Sequence, residues 1–190
     1  VKEHKRIIFN GNGYDDAWIK EATEKRGLSN LRTTPDAAKA LLEKKNIDML
    51  TLHKIFTPAE IEARYETTLE NYCKAVNIEA LTMVDMVRKE ILPAVESYTG
   101  DLASTLKTKL SVVPELSGKY EKSAIAKLSS LADEISDAAT ALDLELIKLK
   151  PVTDEAEVAA LIRDVIIQKM AELRVACDEA ENVTSKKSAE

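Results

Sequence analysis

One apolar stripe constrains the fold of this chain most, because it runs without a turn signal from Thr57 to about Val112. Its members follow one another at spacings of 4, 4 and 3 residues, a period of about 3.67 that is typical of a straight α-helix. A helix of roughly 55 residues extends about 80 Å and usually joins two bodies or serves as a strut. The stripe consists of Ile61, Tyr65, Leu69, Tyr72, Val76, Ala80, Met83, Val87, Ile91, Ala94, Tyr98 and Leu102.

The N-terminal region begins with the only segment that resembles a strand, Arg6 to Phe9, which the turn dipeptides of residues 10–13 would end. Because a lone strand needs a partner, we expect it to be unpaired or poorly ordered. A helix follows from about Asp15 to Arg26, and Gly27 lies just beyond it, the usual place for a left-handed cap.

Two short helices complete this region. Thr34 is predicted as the N-cap of the first, with Pro35 at the first helical position and an end near Lys45. The second is predicted from Ile47 to Ile55. Its candidate core residues are Ile47, Leu50 and Ile55.

The long helix starts with a capping box, Thr57-Pro58-Ala59-Glu60. We expect it to bend at Pro93, which removes one backbone hydrogen bond, and Gly100 is a second weak point at which a break is considered. Between Ala75 and Val95 a second side is also apolar, and we expect both the cap and the bundle to pack against the helix there. That second side comprises Leu81, Val84, Leu92 and Val95.

In the last part of the chain, two helical patterns joined by a short turn predict an antiparallel helical hairpin roughly 45 Å long. A loop from Val113 to Gly118 reverses the chain, a helix runs from about Lys119 to Leu149, and Thr153 is predicted to cap the last helix. With the distal half of the long helix, the hairpin completes a three-helix bundle. Its two apolar faces are Ala124, Leu128, Leu131, Ile135, Ala138, Leu142 and Leu149, and Val158, Ile162, Ile166, Met170, Leu173, Cys177 and Ala180.

The predicted fold class is therefore all-α. We divide the chain into a small cap (1–56), a long kinked central helix (57–112), a helical hairpin (113–182) and a tail (183–190) expected to be disordered.

Composition excludes several classes of protein. A net charge of −6, with Lys and Arg mixed among Glu and Asp, argues against nucleic-acid binding, which needs a concentrated basic face. No run of 18 apolar residues exists, so a membrane span is excluded at this stage and a soluble protein is expected. Cys73 and Cys177 are read as reduced thiols in helical packing, as in a cytoplasmic protein.

The glycine-containing turn before the first helix, Gly11-Asn12-Gly13, is similar to a phosphate-binding loop only in part. The third glycine of the G-x-G-x-x-G pattern would fall at position 16, which is Asp16, and Asp15 beside it would also repel a phosphate. Both acids are better explained as complements to the helix dipole. Gly118-Lys119 has neither the first glycine nor the hydroxyl residue of a Walker loop.

No catalytic, cofactor-binding or metal-ligating residue is predicted in this chain. The histidines, His4 and His53, and the two cysteines do not form a ligand cluster at motif spacing. Acidic pairs such as Glu66 with Glu70, or Glu79 with Asp85, are explained by a solvated helix face. Trp18 is predicted to anchor the first helix to the core.

Two long segments carry a family resemblance: HKRIIFNGNGYDDAWIKEATEKRGLSNLRTTPDA (residues 4–37) and NYCKAVNIEALTMVDMVRKEILPAVESYT (residues 71–99). Both resemble the C-terminal region of type III glutamine synthetase, the large-subunit bacterial form. EARYETTLENY (62–72) and, more loosely, MAELRVACDEAE (170–181) extend the resemblance over nearly the whole chain. The aromatic, proline-containing end usual in the family is not present here.

The resemblance implies that this chain is a non-catalytic piece of a larger enzyme, expected to be inactive alone. The parent reaction would be ATP-dependent ligation of ammonia to glutamate, in nitrogen metabolism, by a large cytoplasmic homo-oligomer that uses ATP and Mg or Mn. The catalytic core would lie upstream of Val1, so no ligand of ATP or metal transfers to a residue here. The implied partners are that core and neighbouring subunits, and the implied role is structural contact or a surface for regulators.

Two other classes of function remain open. A free-standing helical adaptor would bind partner helices through an exposed apolar groove along the bundle. A small enzyme would need a pocket between cap and bundle, lined by converging carboxylates with raised pKa values.

Overall fold

Helices make up the regular structure of the described part of the chain. The computed structural model describes residues 2–5 and 8–185, and no strand occurs among them. This confirms the predicted all-α class. The contacts divide the chain into two compact units, the first ending at Tyr65 and the second beginning at Glu66.

The first helix of the first unit, α1 (Asp16–Lys20), continues into a π turn (Glu21–Lys25). Its N-cap is Asp15, whose Oδ1 accepts a hydrogen bond from the Ala17 amide at 3.0 Å. Gly27 follows the helical segment with φ +62°, a backbone conformation that side chains with a Cβ disfavour. The predicted helix and its glycine end are thus confirmed.

The predicted strand, Arg6 to Phe9, is not found as a strand. Arg6 and Ile7 lie outside the described residues, and Ile8 and Phe9 have irregular backbone. The Phe9 ring stacks on Trp18, with ring centroids 3.8 Å apart, so an aromatic contact holds this segment instead of a sheet.

The next helix begins one residue earlier than predicted. Helix α2 (Thr34–Lys39) continues as a 3₁₀ turn (Ala40–Leu42). Thr33, not Thr34, is the N-cap, because Thr33 has the extended backbone of a cap and its Oγ1 accepts from the Asp36 amide at 3.4 Å. The helix also stops before Lys45, because Glu43 is extended.

Helix α3 (Lys44–Leu52) begins and ends three residues earlier than the predicted range, Ile47 to Ile55. Lys54 adopts φ +52°, and the Ile55 amide donates to the Leu50 carbonyl at 2.9 Å, a pattern that closes a helix. Ile55 therefore lies beyond the helix and is 55% exposed, so its assignment to the core was wrong. Ile47 and Leu50 are half-buried.

The long helix consists of three consecutive helical segments, α4 (Pro58–Met86), a π turn (Val87–Ile91) and α5 (Leu92–Val112). The capping box is confirmed: the Thr57 amide donates to Glu60 Oε2 at 2.7 Å, and the Glu60 amide donates to Thr57 Oγ1 at 3.3 Å. Every residue of the predicted stripe from Ile61 to Leu102 is buried or half-buried.

Pro93 is accommodated by the π turn directly before it. The Leu92 amide donates to the Val87 carbonyl five residues back, and this wider turn relieves the clash between a proline ring and the preceding turn. No break occurs at Gly100, which lies inside α5 between the buried residues Thr99 and Leu102. Packing of these neighbours outweighs the low helix propensity of one glycine, about 1 kcal/mol.

The hairpin is formed by α6 (Lys119–Leu149), α7 (Glu155–Leu161), a π turn (Ile162–Ile166) and α8 (Ile167–Val183). The predicted limits of α6 are confirmed. The N-cap of α7 is Asp154 and not Thr153, because Asp154 Oδ1 accepts from the amides of Ala156 and Glu157 at 2.8 and 3.2 Å.

Helix α6 packs against both α5 and α8, which confirms the three-helix bundle within the second unit. The predicted faces meet in its core, although Leu81 is 48% exposed and does not join a second buried side as expected. Val84 and Val95 are buried and Leu92 is half-buried. The fully buried large side chains of this unit are Leu69, Val87, Leu128, Ile135, Leu142, Ile162, Ile166 and Leu173.

Candidate functional site

A cleft of about 370 Å³ opens at one end of the three-helix bundle. Helix α4 forms one wall, and the end of α6, the turn at 150–154 and the start of α7 form the other. Sequence reasoning missed this cleft, because its walls come from segments about 70 residues apart in the chain. Its lining residues are Glu70, Cys73, Lys74, Asn77, Leu81, Asp143, Leu146, Ile147, Leu149, Lys150, Val152, Glu155, Val158 and Ile162.

Cys73 is the thiol among these lining residues, and its surroundings suppress its reactivity. Its Sγ lies 3.9 Å from the Glu155 carbonyl oxygen, to which it donates a weak hydrogen bond. Burial and the nearby Glu155 carboxylate raise the pKa of the Cys73 thiol to about 11. The thiol therefore stays protonated near neutral pH and is a poor nucleophile.

Two carboxylates that line the cleft are paired with cations. Glu70 accepts from Lys74 Nζ at 2.5 Å, one helical turn away, and Asp143 pairs with Arg88 Nη1 at 2.8 Å. Both carboxylates are thus engaged in ion pairs within the protein. The third carboxylate of the lining, Glu155, lies near the Cys73 thiol.

The acidic residues considered in the sequence serve as local supports. Asp15 caps α1, and Asp85 pairs with Lys89 at 2.5 Å across one helical turn. Glu66 and Glu79 are exposed on α4. Within residues 2–5 and 8–185, no group of three or more His, Cys, Asp or Glu side chains is placed to hold a metal ion.

The glycine-containing turn before α1 is stabilised by its own side chains. Asn12 Oδ1 accepts from the Tyr14 amide at 3.1 Å, and Asp15 Oδ1 points its acceptor at the helix amides where a phosphate would need to bind. A carboxylate in that position repels a phosphate, so the geometry favours the structural reading of this turn.

The remaining candidates are also structural. His53 is the exposed C-cap of α3. The Nε2 atom of His4 lies 3.8 Å from Glu3 Oε2. Cys73 and Cys177 are free thiols, as predicted. Trp18 anchors α1 through its stack on Phe9, and the Arg26 guanidinium lies 4.7 Å from the Trp18 ring centroid.

Membrane insertion finds no support in the helices. In the part of the chain that the structure describes, none combines the length and apolar character that crossing a bilayer requires.

Comparison with known proteins places the chain in a family. Residues 1–110 match the glutamine synthetase C-terminal domain. Over 184 residues the chain is 38% identical to a glutamine synthetase from Butyrivibrio fibrisolvens, covering 97% of this chain and 26% of that protein. It is 31% identical over 193 residues to the type-3 glutamine synthetase of Dictyostelium discoideum, covering 98% of this chain and 26% of that protein.

The chain thus spans about a quarter of the length of these curated relatives. The match to a type-3 enzyme confirms the resemblance inferred from residues 4–37 and 71–99. With 110 residues inside the family match, this chain belongs to the glutamine synthetase C-terminal domain family.

Proposed function

We propose that this chain is the non-catalytic, C-terminal helical region of a type III glutamine synthetase. The parent enzyme would join ammonia to glutamate with ATP as the energy source, and ATP and Mg or Mn would bind in the part that precedes this region. The observation that carries the proposal is the family match over residues 1–110 in a chain that spans a quarter of its relatives.

The chemistry of the described residues supports a non-catalytic role. The cleft contains a protonated thiol and three carboxylates, two of which, Glu70 and Asp143, are paired with Lys74 and Arg88. Neither arrangement activates a nucleophile or holds a nucleotide–metal complex, which needs carboxylate oxygens free for the cation.

The role that we propose is contact with the catalytic core and with neighbouring subunits of a cytoplasmic homo-oligomer. A bundle with a continuous buried face supplies a rigid body for such contacts. The second unit is built in this way, since one stripe on α4 and α5 and both faces of the hairpin are buried or half-buried in it.

A helical adaptor is the second candidate function, and one observation favours it. Leu81 and Ile147 form an apolar edge of the cleft and are 48% and 49% exposed, as a groove for a partner helix requires. An adaptor would use this groove without any attached catalytic core.

Two measurements test the proposal. Sequencing the reading frame upstream of Val1 is expected to reveal a glutamine synthetase core in frame. The complete protein is then expected to form glutamine from glutamate, ammonia and ATP, whereas the 190-residue chain forms none under the same conditions.

Either of two results would overturn the proposal. Measurable glutamine formation by the 190-residue chain would place the catalytic groups within it. A start codon at or just before Val1, with no core in frame, would favour the adaptor.

A further inference from the structure

The cleft of the second unit keeps two opposite charges that are not joined in ion pairs. Lys150 is the C-cap of α6 and Glu155 is the first residue of α7, so the two lie on either side of the turn that connects these helices. Both line the cleft and are exposed. Within the part of the chain that the structure describes, neither side chain forms an ion pair. The Lys74 ammonium, which interacts electrostatically with Glu155, is held by Glu70 at 2.5 Å.

The wall formed by α4 contributes a polar group without a partner. Cys73, Asn77 and Leu81 follow one another at intervals of four residues and line the cleft together. Asn77 is half-buried, and its side-chain amide has no hydrogen-bond partner among the described residues. A side-chain amide both donates and accepts hydrogen bonds, so the polar end of a ligand can satisfy it.

The most buried side chains of the lining are apolar. Leu146 and Ile162 are 4% and 1% exposed, and Val158 is half-buried. The volume of about 370 Å³ lies within the range of small-molecule sites, roughly 300–1,000 Å³. The cleft therefore offers a small apolar group a place to pack beside the polar rim.

The balance of charge selects the class of ligand. The lining contains three carboxylates and two ammonium groups, and the Arg88 guanidinium that pairs with Asp143 brings the sum to zero. A phosphate ester or a polyamine would bring an excess of one sign that these groups do not balance. A zwitterion brings one charge of each sign, which matches the one cation and the one anion that have no ion pair.

We propose that this cleft binds a free α-amino acid with an apolar side chain. The carboxylate of the ligand pairs with Lys150, its ammonium group pairs with Glu155, and its side chain packs on Leu146 and Ile162. Asn77 supplies a further hydrogen bond to the polar end of the ligand. This inference goes beyond the proposed function and does not depend on it, because every group involved belongs to this chain.

An NMR titration of the isotope-labelled 190-residue chain with L-leucine tests the inference. A ligand with so few atoms is expected to bind at about millimolar concentration. We expect saturable shifts of the amide signals of residues 73–81 and 150–162, and unchanged signals for residues 16–26. Shifts that do not saturate up to about 20 mM leucine, or that occur elsewhere in the chain, would overturn the inference.

Three analogues of the ligand test the individual contacts. N-acetyl-leucine lacks the ammonium group, leucinamide lacks the carboxylate, and glycine lacks the apolar side chain. Each is expected to bind roughly tenfold more weakly than leucine, because each loses one charged hydrogen bond or the packing of an apolar group. Binding of leucinamide or N-acetyl-leucine as tight as that of leucine would show that the cleft does not recognise a zwitterion and would overturn the inference.

Variants of the protein identify the groups that bind. Lys150→Met and Glu155→Gln each remove one charge from the rim and should weaken leucine binding roughly tenfold. Lys148→Met and Glu157→Gln are the matched controls, since both residues are exposed on the same two helix ends and lie outside the cleft lining. All four side chains are exposed, so no core packing is lost, and the amide spectrum confirms that each variant is folded. Equal weakening by the controls would show that the cleft is not the site and would overturn the inference.

Discussion

The two units of this chain are stabilised by different means. In the first, short helices are bounded by local features: the N-caps Asp15 and Thr33 begin two of them, and the left-handed Lys54 follows the end of α3. Among the described residues of this unit, only Ile61, at the start of the long helix, is both large and fully buried. In the second, the fully buried large side chains among the described residues lie on the long helix and on the hairpin, where α6 packs against α5 and α8.

This difference indicates which substitutions should destabilise each unit. A unit built on a packed core loses stability when a buried methyl group is removed, because the cavity is not refilled. A unit built on caps and a few ring contacts responds to the loss of single hydrogen bonds or stacks, and its effects remain local.

The largest effect is expected in the second unit. Leu142→Ala removes a side chain with 0% exposure from the buried side of α6, and we expect the free energy of unfolding to fall by about 2–5 kcal/mol. Leu144→Ala, two residues away and 53% exposed, is the matched control and should change it by less than about 0.5 kcal/mol. Denaturant unfolding of the 190-residue chain measures both. Equal losses would contradict the contrast between core and surface.

Removal of the aromatic stack tests the first unit. Trp18→Ala eliminates the contacts of this ring with Phe9 and Arg26, and we expect the opening free energy of residues 16–26 to fall by about 1–3 kcal/mol. Hydrogen exchange should show this change with no effect at residues 128–142. Tyr14→Ala, at a 97% exposed position, is the control. A loss of protection throughout α6 would show that the units are not independent.

Substitution of the N-cap of α7 should reduce stability by a smaller amount. It also tests the finding that Asp154, and not Thr153, is this cap. Asp154→Ala removes the acceptor for the Ala156 and Glu157 amides, and we expect a loss of about 1 kcal/mol in thermal or denaturant unfolding. Thr153→Ala should cost less than about 0.5 kcal/mol. The reverse order would restore Thr153 as the cap.

The smallest expected effect is on the stability of the chain at acidic pH. Hydrogen bonds from Lys109 and a backbone amide lower the pKa of Glu121, and those from the Thr57 amide and hydroxyl lower the pKa of Glu60. Each folded pKa lies below the unfolded value of about 4.3, so the stabilisation is complete above that pH and is lost as pH falls through the folded pKa.

A comparison of variants isolates the Glu121 contribution. Lys109→Met should flatten the acid dependence of unfolding between about pH 5 and pH 3, and adding Glu121→Gln should then change it little. Unfolding is followed across this pH range for each variant. An unchanged slope in Lys109→Met would show that Lys109 is not the cause.

The sequence by itself determined the features that depend on local spacing. The stripe from Ile61 to Leu102, the limits of α6 and the Thr57–Glu60 capping box all follow from residue types a few positions apart. It also determined the family, because two long segments carried the resemblance that residues 1–110 confirm.

Tertiary structure decided what depends on neighbours distant in the chain. Thr33 and Asp154 became caps in place of the adjacent threonines, since a cap needs an extended backbone as well as an oxygen. Ile55 and Leu81 are as apolar as their buried neighbours, yet only the path of the chain and the position of α6 decide their exposure. The cleft also depends on contacts between distant segments. Cys73 and Glu155 are 82 residues apart, and no local sequence pattern predicts that they lie close together.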